Sequence, residues 1–245
     1  MGWEVLYAPG SAPSLDAVCA AFTGGDGRGD REMEFACERL VNPASGMPTL
    51  ECMGRGLAFD IASSNAWDDA DNPEVEHTFD VDTKSLAVRS GLSIMPGPNI
   101  ASAAHALPVV RAGAALVRSV CGIGEPSAVI WRPIGSAMGV RYFRDIAGSW
   151  LHGGPFPALG LTALRAAPDG GLHSQGLALF TGQELRLVPA IAETGAEAYA
   201  LGTRLIDRLV EGEPVRSPFA LSGPDGRTIH LAPSPNQRFV IADWG

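Results

Sequence analysis

Alternation of apolar and polar residues dominates the first part of the chain and predicts short strands. Residues 32–39 place Met33, Phe35 and Cys37 on one side and three glutamates on the other, as expected for a half-buried strand. Residues 75–81 repeat this alternation, with a valine at each end. The pattern predicts strands at 3–8, 32–39, 50–53, 57–61 and 75–81.

Apolar residues recur at helical spacing in four segments. The longest, 100–121, carries a continuous apolar stripe, and Pro108 within it either kinks the helix or divides it into two. Ser14 stands just before the first segment, where its hydroxyl is suited to cap the helix. We predict helices at 15–22, 100–121, 140–151 and 193–210.

The second half adds strands that are separated by turn signals. Residues 168–171, Pro-Asp-Gly-Gly, predict a tight turn after which the chain runs back antiparallel. Residues 224–227, Pro-Asp-Gly-Arg, predict a second hairpin. The predicted strands lie at 127–131, 158–166, 184–188, 219–221 and 228–231, with a further strand starting at 172.

The order of these elements predicts an α+β fold. The second half follows β-α-β-β-α-β, the order of a ferredoxin-like unit, and the first half follows roughly β-α-β-β-β-α. We therefore expect antiparallel sheets with helices packed on one face, arranged as two related units. The chain is predicted to form a single compact domain, 1–245, or two pseudo-related units, 1–122 and 123–245, with a Pro-rich seam at 94–99.

Composition limits the class of protein. Apolar residues make up 46% of the chain and charged residues 18%, which is typical of a folded globular protein. The net charge of −9, without a Lys/Arg cluster, argues against nucleic-acid binding. The sequence shows neither a membrane-length apolar run nor a signal-peptide pattern, so we expect a soluble cytoplasmic protein that does not engage membranes. Schiff-base chemistry is not expected, because the only lysine, Lys84, lies in a polar segment.

The four cysteines have no metal-binding spacing. Cys19, Cys37, Cys52 and Cys121 each lie in an apolar stretch, where a free thiol behaves as a small buried hydrophobic group. We therefore expect reduced cysteines, no metal site and no cofactor.

Residues 174–187 carry a recognisable pattern. The segments SQGLALFT at 174–181 and ELRL at 184–187 resemble the C-terminal part of the bacterial domain-of-unknown-function family numbered 4261. In that family a helix and a late Asp-Gly-x-Thr segment follow, and DGRT stands here at 225–228, while AVIW at 128–131 matches an apolar strand that ends in Trp. Thr181 departs from the pattern, since the family often has Gly there. The resemblance covers the C-terminal half and implies an α+β fold in a bacterial setting, with no activity or catalytic residue to carry over.

Three histidines of the second half are candidates for acid–base chemistry. His152, His173 and His230 are predicted near a helix end and two hairpins, where they could converge with Asp169 or Asp225. The alternative, scattered surface histidines, is the simpler interpretation. If the three histidines converge with either aspartate, the chain is a hydrolase-like enzyme.

An acidic segment supports a different hypothesis. Trp67 is followed closely by Asp68, Asp69 and Asp71, which lack the spacing of a calcium loop and predict a solvated acidic surface with an exposed aromatic contact. This pattern favours a non-catalytic protein-binding protein that engages a partner with a basic face. A homodimer is left open as a further arrangement.

Overall fold

The computed structural model describes residues 1–23, 34–41, 48–65, 75–81, 86, 90–192, 195–224 and 226–245. The chain divides into two units, Met1–Gly154 and Pro155–Gly245. The boundary therefore lies later than the predicted one at 122/123. The reason is that strands Pro126–Trp131 and Ser136–Gly139 extend the sheet of the first unit.

An eight-stranded sheet forms the first unit, in the order β2-β3-β4-β6-β1-β7-β8-β5. Its neighbouring strands are antiparallel except for the parallel pair of β5 and β8. The strands are β1 (Trp3–Tyr7), β2 (Ala36–Val41), β3 (Pro48–Gly54), β4 (Leu57–Asn65), β5 (His77–Phe79), β6 (Ser90–Pro96), β7 (Pro126–Trp131) and β8 (Ser136–Gly139).

Strand β6 corrects the prediction of a seam at 94–99. Residues up to Pro96 form a strand that pairs with β1 on one side and β4 on the other. Leu92 and Ile94 are fully buried, which fits a position inside the sheet. The prolines at 96 and 98 mark the end of this strand, where a missing N–H is tolerated, rather than a linker.

Three helices of the first unit pack on one face of its sheet. They are α1 (Leu15–Thr23), α2 (Leu107–Val120) and α3 (Val140–Leu151). Helix α2 is shorter than predicted because Pro108 occupies its first turn, where a proline needs no hydrogen-bond donor. The backbone of Gly113 in α2 approaches the Trp3 and Phe59 side chains, and the Phe143 ring of α3 lies 5.5 Å from that of Trp3.

The helix prediction at the N-terminus is confirmed. The N–H of Ala17 donates to Ser14 Oγ over 3.2 Å, as expected for an N-cap.

The opposite face of the sheet has a small core of its own, in which Leu6, Ala128 and Ile130 pack with Leu86.

A six-stranded sheet forms the second unit, in the order β12-β13-β14-β11-β10-β9, with one parallel pair, β11 and β14. Its strands are β9 (Ala163–Ala166), β10 (Leu172–Gln175), β11 (Glu184–Leu187), β12 (Phe219–Ser222), β13 (Thr228–Pro233) and β14 (Phe239–Trp244). Its helices are α4 (Ala158–Leu161), α5 (Ala178–Thr181), α6 (Pro189–Ala192) and α7 (Ala196–Glu211).

Each unit thus combines a mixed sheet with helices, and the α+β class is confirmed. The ferredoxin-like order of the second unit is not confirmed, because the strand and helix assigned to its start, β7 and α3, belong to the first unit. The strand predicted at 158–166 is also shorter: within the short segment α4, Leu159 and Gly160 have non-helical backbone angles, Gly160 with φ of 130°, and β9 begins only at Ala163. The antiparallel turn before Leu172 and the last hairpin are confirmed.

Candidate functional site

The predicted histidine site is not assembled in the second unit. His173 lies on β10 and His230 on β13, with β11 and β14 between them. Three strand spacings separate the two by roughly 14 Å, which exceeds the reach of a hydrogen bond or of one bridging water. His152 belongs to the first unit, where its Nδ1 lies 2.7 Å from the Gly148 carbonyl oxygen at the end of α3.

The contacts of Asp169 stabilise the turn in which it lies. It lies in the turn before β10, accepts a hydrogen bond from the Gly171 N–H at 3.1 Å and forms an ion pair with Arg186. The Gly171 bond, helped by the positive charge of Arg186, holds the pKa of Asp169 below its usual range. A depressed pKa suits a permanent carboxylate rather than a proton donor. Asp225, Trp67, Asp68, Asp69 and Asp71 lie outside the described residues.

Three carboxylates form a row on three adjacent strands of the first sheet. Glu38 on β2 stands directly opposite Glu51 on β3, and Glu51 stands directly opposite Asp60 on β4. Directly opposed residues of antiparallel strands point to the same face, with Cβ atoms about 5 Å apart. We call Glu38, Glu51 and Asp60 the carboxylate row.

The row faces away from helix α1. Arg39, the residue after Glu38, forms an ion pair with Asp16 of that helix. Because neighbouring residues of a strand point to opposite faces, Glu38 and the rest of the row lie on the face that α1 leaves free. Glu38 is exposed, and Glu51 and Asp60 are half-buried.

Repulsion between the three carboxylates of the row destabilises the isolated protein. Like charges in direct opposition destabilise a sheet, and no cation of the described residues pairs with any of the three carboxylates. Partial burial raises the pKa of Asp60 above its ordinary value. The row therefore holds concentrated negative charge that a basic group from outside would relieve.

Two apolar side chains flank the row on the same face. Leu40, two residues after Glu38, is 40% exposed, and Met53, two residues after Glu51, is 48% exposed. They are two of the few large hydrophobic side chains that the described residues expose. Strand β2 is also the edge of its sheet. Charge, exposed apolar surface and a sheet edge thus meet in one place.

The row does not have the geometry of a metal site. Its carboxylates follow strand spacing across the sheet rather than converging on one point. Within the described ranges, no group of three or more His, Cys, Asp or Glu residues is arranged to hold a metal ion. The small apolar cavity beside Trp3, Phe59 and Val110, about 10 Å³, holds at most one water molecule and is too small for a metabolite.

The sequence contained part of the signal for this row. Alternation in residues 32–39 placed Glu38 on the polar side, but the partners of a strand depend on register, which alternation alone does not give. Glu51 and Asp60 each interrupt an otherwise apolar predicted segment, 50–53 and 57–61, and only the pairing of β2, β3 and β4 brings them together.

The cysteines differ from the prediction of free thiols. Cys37 and Cys52 stand directly opposite each other on β2 and β3 and form a disulfide, with Cα atoms 4.2 Å apart. Cys19 and Cys121 are free, and burial raises the pKa of Cys121 to about 12. The prediction failed because spacing along the chain says nothing about which residues face each other across a sheet.

Glu184 explains the pattern at 174–187. Its carboxylate accepts the backbone N–H groups of Gly176, Leu177 and Ala178, at 2.9 to 3.2 Å, and the hydroxyl of Ser174. The Ser174 oxygen in turn accepts the N–H of Leu185 at 2.7 Å. This network fixes the turn between β10 and β11, so the motif has a structural role here.

Among the described residues, no helix has both the length and the apolar character needed to cross a membrane. No protein-family model matches the chain, and neither a curated protein nor a solved structure is significantly similar to it. The resemblance to the family numbered 4261 therefore stays a prediction.

Proposed function

We propose that this chain is a non-catalytic protein-binding protein that engages a basic protein partner through the carboxylate row. The observation that carries the proposal is the direct register of Glu38, Glu51 and Asp60 on three adjacent strands, beside exposed Leu40 and Met53. An interface of this kind combines apolar contact with charges that select the partner.

Charge complementarity identifies the chemistry of the partner. Lysine or arginine side chains that contact the row would relieve repulsion that the isolated chain must bear. The net charge of −9 adds long-range attraction for a basic surface and speeds association at low salt. A homodimer through this face is disfavoured, because a two-fold contact would place one row against its copy.

The acid–base alternative lacks comparable support. It requires His173 and His230 to meet, and two strands separate them. The cytoplasmic location stays a prediction, and the Cys37–Cys52 disulfide weighs against it, since disulfides are rare in reducing compartments.

A matched pair of variants tests the proposal. The row variant carries Glu38→Gln, Glu51→Gln and Asp60→Asn. The control variant carries Glu125→Gln, Glu211→Gln and Glu213→Gln, exposed residues that are not part of the row, and so removes the same number of charges. Each protein is immobilised and exposed to host lysate at about 50 and 300 mM salt, where the Debye length falls from about 14 to 6 Å.

A supporting result is a protein that binds wild type and control at low salt, weakens at high salt and binds the row variant at least about tenfold less tightly, roughly 1.4 kcal/mol. Equal binding by the row variant refutes the site. Absence of any salt-sensitive protein on wild type refutes the proposed function.

A further inference from the structure

Three cysteines meet on one face of the first sheet. Cys37 and Cys52 form the disulfide between β2 and β3, and Cys19 lies on helix α1, which packs over these strands. The Cys19 thiol donates to the Cys37 carbonyl oxygen, with Sγ 3.7 Å from it. Arg39 shares the face of Cys37 and reaches Asp16 of the same helix, so the Cys37 side chain points toward α1.

We propose that Cys19, Cys37 and Cys52 form a thiol–disulfide exchange site, in which the bond Cys37–Cys52 is exchanged for the bond Cys19–Cys37. Cys37 is the sulfur open to attack, because Cys19 already contacts the Cys37 backbone and the Cys37 side chain is half-buried, whereas Cys52 is fully buried. Exchange requires a thiolate attacking an accessible sulfur, and Cys19 is the half-exposed thiol beside it.

The step balances without an outside oxidant or reductant. Cys19 loses its thiol proton to solvent, and its thiolate attacks Cys37 Sγ. The Cys19–Cys37 bond forms as the Cys37–Cys52 bond breaks, the electron pair stays on Cys52 Sγ, and this sulfur takes up a proton. The number of disulfides is unchanged. In the product, Cys52 is a buried neutral thiol, which packs as a small hydrophobic group.

Exchange acts on the strands that carry the carboxylate row. Cys37 precedes Glu38, and Cys52 follows Glu51, so the disulfide ties the two strands next to two members of the row. After exchange, β2 is tied to α1 and the covalent link to β3 is gone. This regulatory consequence rests on the proposed function, whereas the exchange itself does not.

Disulfide mapping tests the exchange directly. The four cysteines lie on four different tryptic peptides, because arginines at 28, 39, 55 and 118 separate them. Purified full-length chain is equilibrated in a glutathione redox buffer, trapped with N-ethylmaleimide, digested without reduction and analysed by mass spectrometry. We expect both the Cys37–Cys52 and the Cys19–Cys37 linkages in wild type, and loss of the second in Cys19→Ser.

The variant Cys52→Ala provides the sharper measurement. In the same buffer we expect Cys19 and Cys37 to lose their free thiols and appear as one linked peptide pair, while buried Cys121 remains a thiol. Circular dichroism confirms that the variant folds, and the wild-type map stands alone if it does not. The proposal is refuted if wild type shows no Cys19–Cys37 linkage, or if folded Cys52→Ala leaves Cys19 and Cys37 unlinked.

A separate experiment tests whether the exchange regulates partner binding. Partner capture is repeated with Cys19→Ser, which holds the Cys37–Cys52 bond, and with Cys52→Ala. Captures that differ at least about threefold support regulation, and equal captures refute it. Failure of all capture refutes the proposed function and leaves the disulfide map unaffected.

Discussion

Neutralising the centre of the carboxylate row should stabilise the protein. Glu51 stands opposite Glu38 on one side and Asp60 on the other, so Glu51→Gln removes two like-charge oppositions while keeping the shape of the side chain. Each cross-strand pair of this kind is worth roughly 0.2–1 kcal/mol. Allowing for the partial solvent exposure of the row, we expect a gain of about 1 kcal/mol in the free energy of unfolding.

Urea unfolding at about 25 °C, followed by tryptophan fluorescence, measures this gain. Three of the four described tryptophans belong to the first unit, so the signal reports mainly on the sheet that carries the row. In about 0.5 M salt the Debye length shrinks to about 4 Å, and the gain should fall by half or more. Glu125→Gln, at an exposed position outside the row, should change stability by less than about 0.5 kcal/mol.

The salt dependence separates repulsion from other causes. If Glu51→Gln is no more stable than wild type at low salt, or if its gain is unchanged at high salt, then repulsion within the row is not what the substitution relieves. The energetic argument for a basic partner would then be lost.

Three further predictions concern charged groups with defined surroundings. Since burial raises the folded-state pKa of Asp60, the free energy of unfolding should fall as pH rises from about 3.8 toward that raised pKa. The variant Asp60→Asn should not show this fall when urea unfolding is measured across pH 3.5–7. Glu184→Gln keeps one oxygen but turns an NH2 group toward backbone N–H donors, so it should lower the free energy of unfolding in urea by about 2–3 kcal/mol. The control Glu211→Gln should leave the free energy of unfolding unchanged. Arg132→Met leaves Glu4, only 1% exposed, without its cation and should cost about 3 kcal/mol in thermal unfolding; adding Glu4→Gln should restore part of this.

Local patterns predicted many of the individual elements. Helix α3 has the predicted bounds, and the cap at Ser14 and the hairpin of β12 and β13 were both visible in the sequence. These features depend on residues close together in the chain. The shortened start of α2 follows from Pro108 by an equally local rule.

The pairing of strands that are distant in the chain could not be predicted from the sequence. Strand β14 was not predicted, although it joins β13 to β11 at the centre of the second sheet. The assignment of β7 to the first unit depends on its pairing with β1, about 120 residues earlier. Long-range register is set by how whole faces pack, which short windows of sequence do not contain.

The candidate site was likewise predictable only where it depends on residues close together in the chain. Glu38 lay on a polar face that alternation revealed, but its neighbours Glu51 and Asp60 came from other strands. The Cys37–Cys52 disulfide was missed for the same reason. Prediction of a binding protein was possible from the overall charge, whereas the location of the described acidic surface required the sheet.

Carboxyl footprinting of the complex tests the central claim most directly. The chain, alone and with its captured partner, is labelled with a carbodiimide and an amine, and modification of each acidic residue is quantified by mass spectrometry. We predict that partner binding protects Glu38, Glu51 and Asp60 at least about threefold, while Glu125 and Glu211 react equally in both states. Equal labelling of the row with and without the partner would contradict the account.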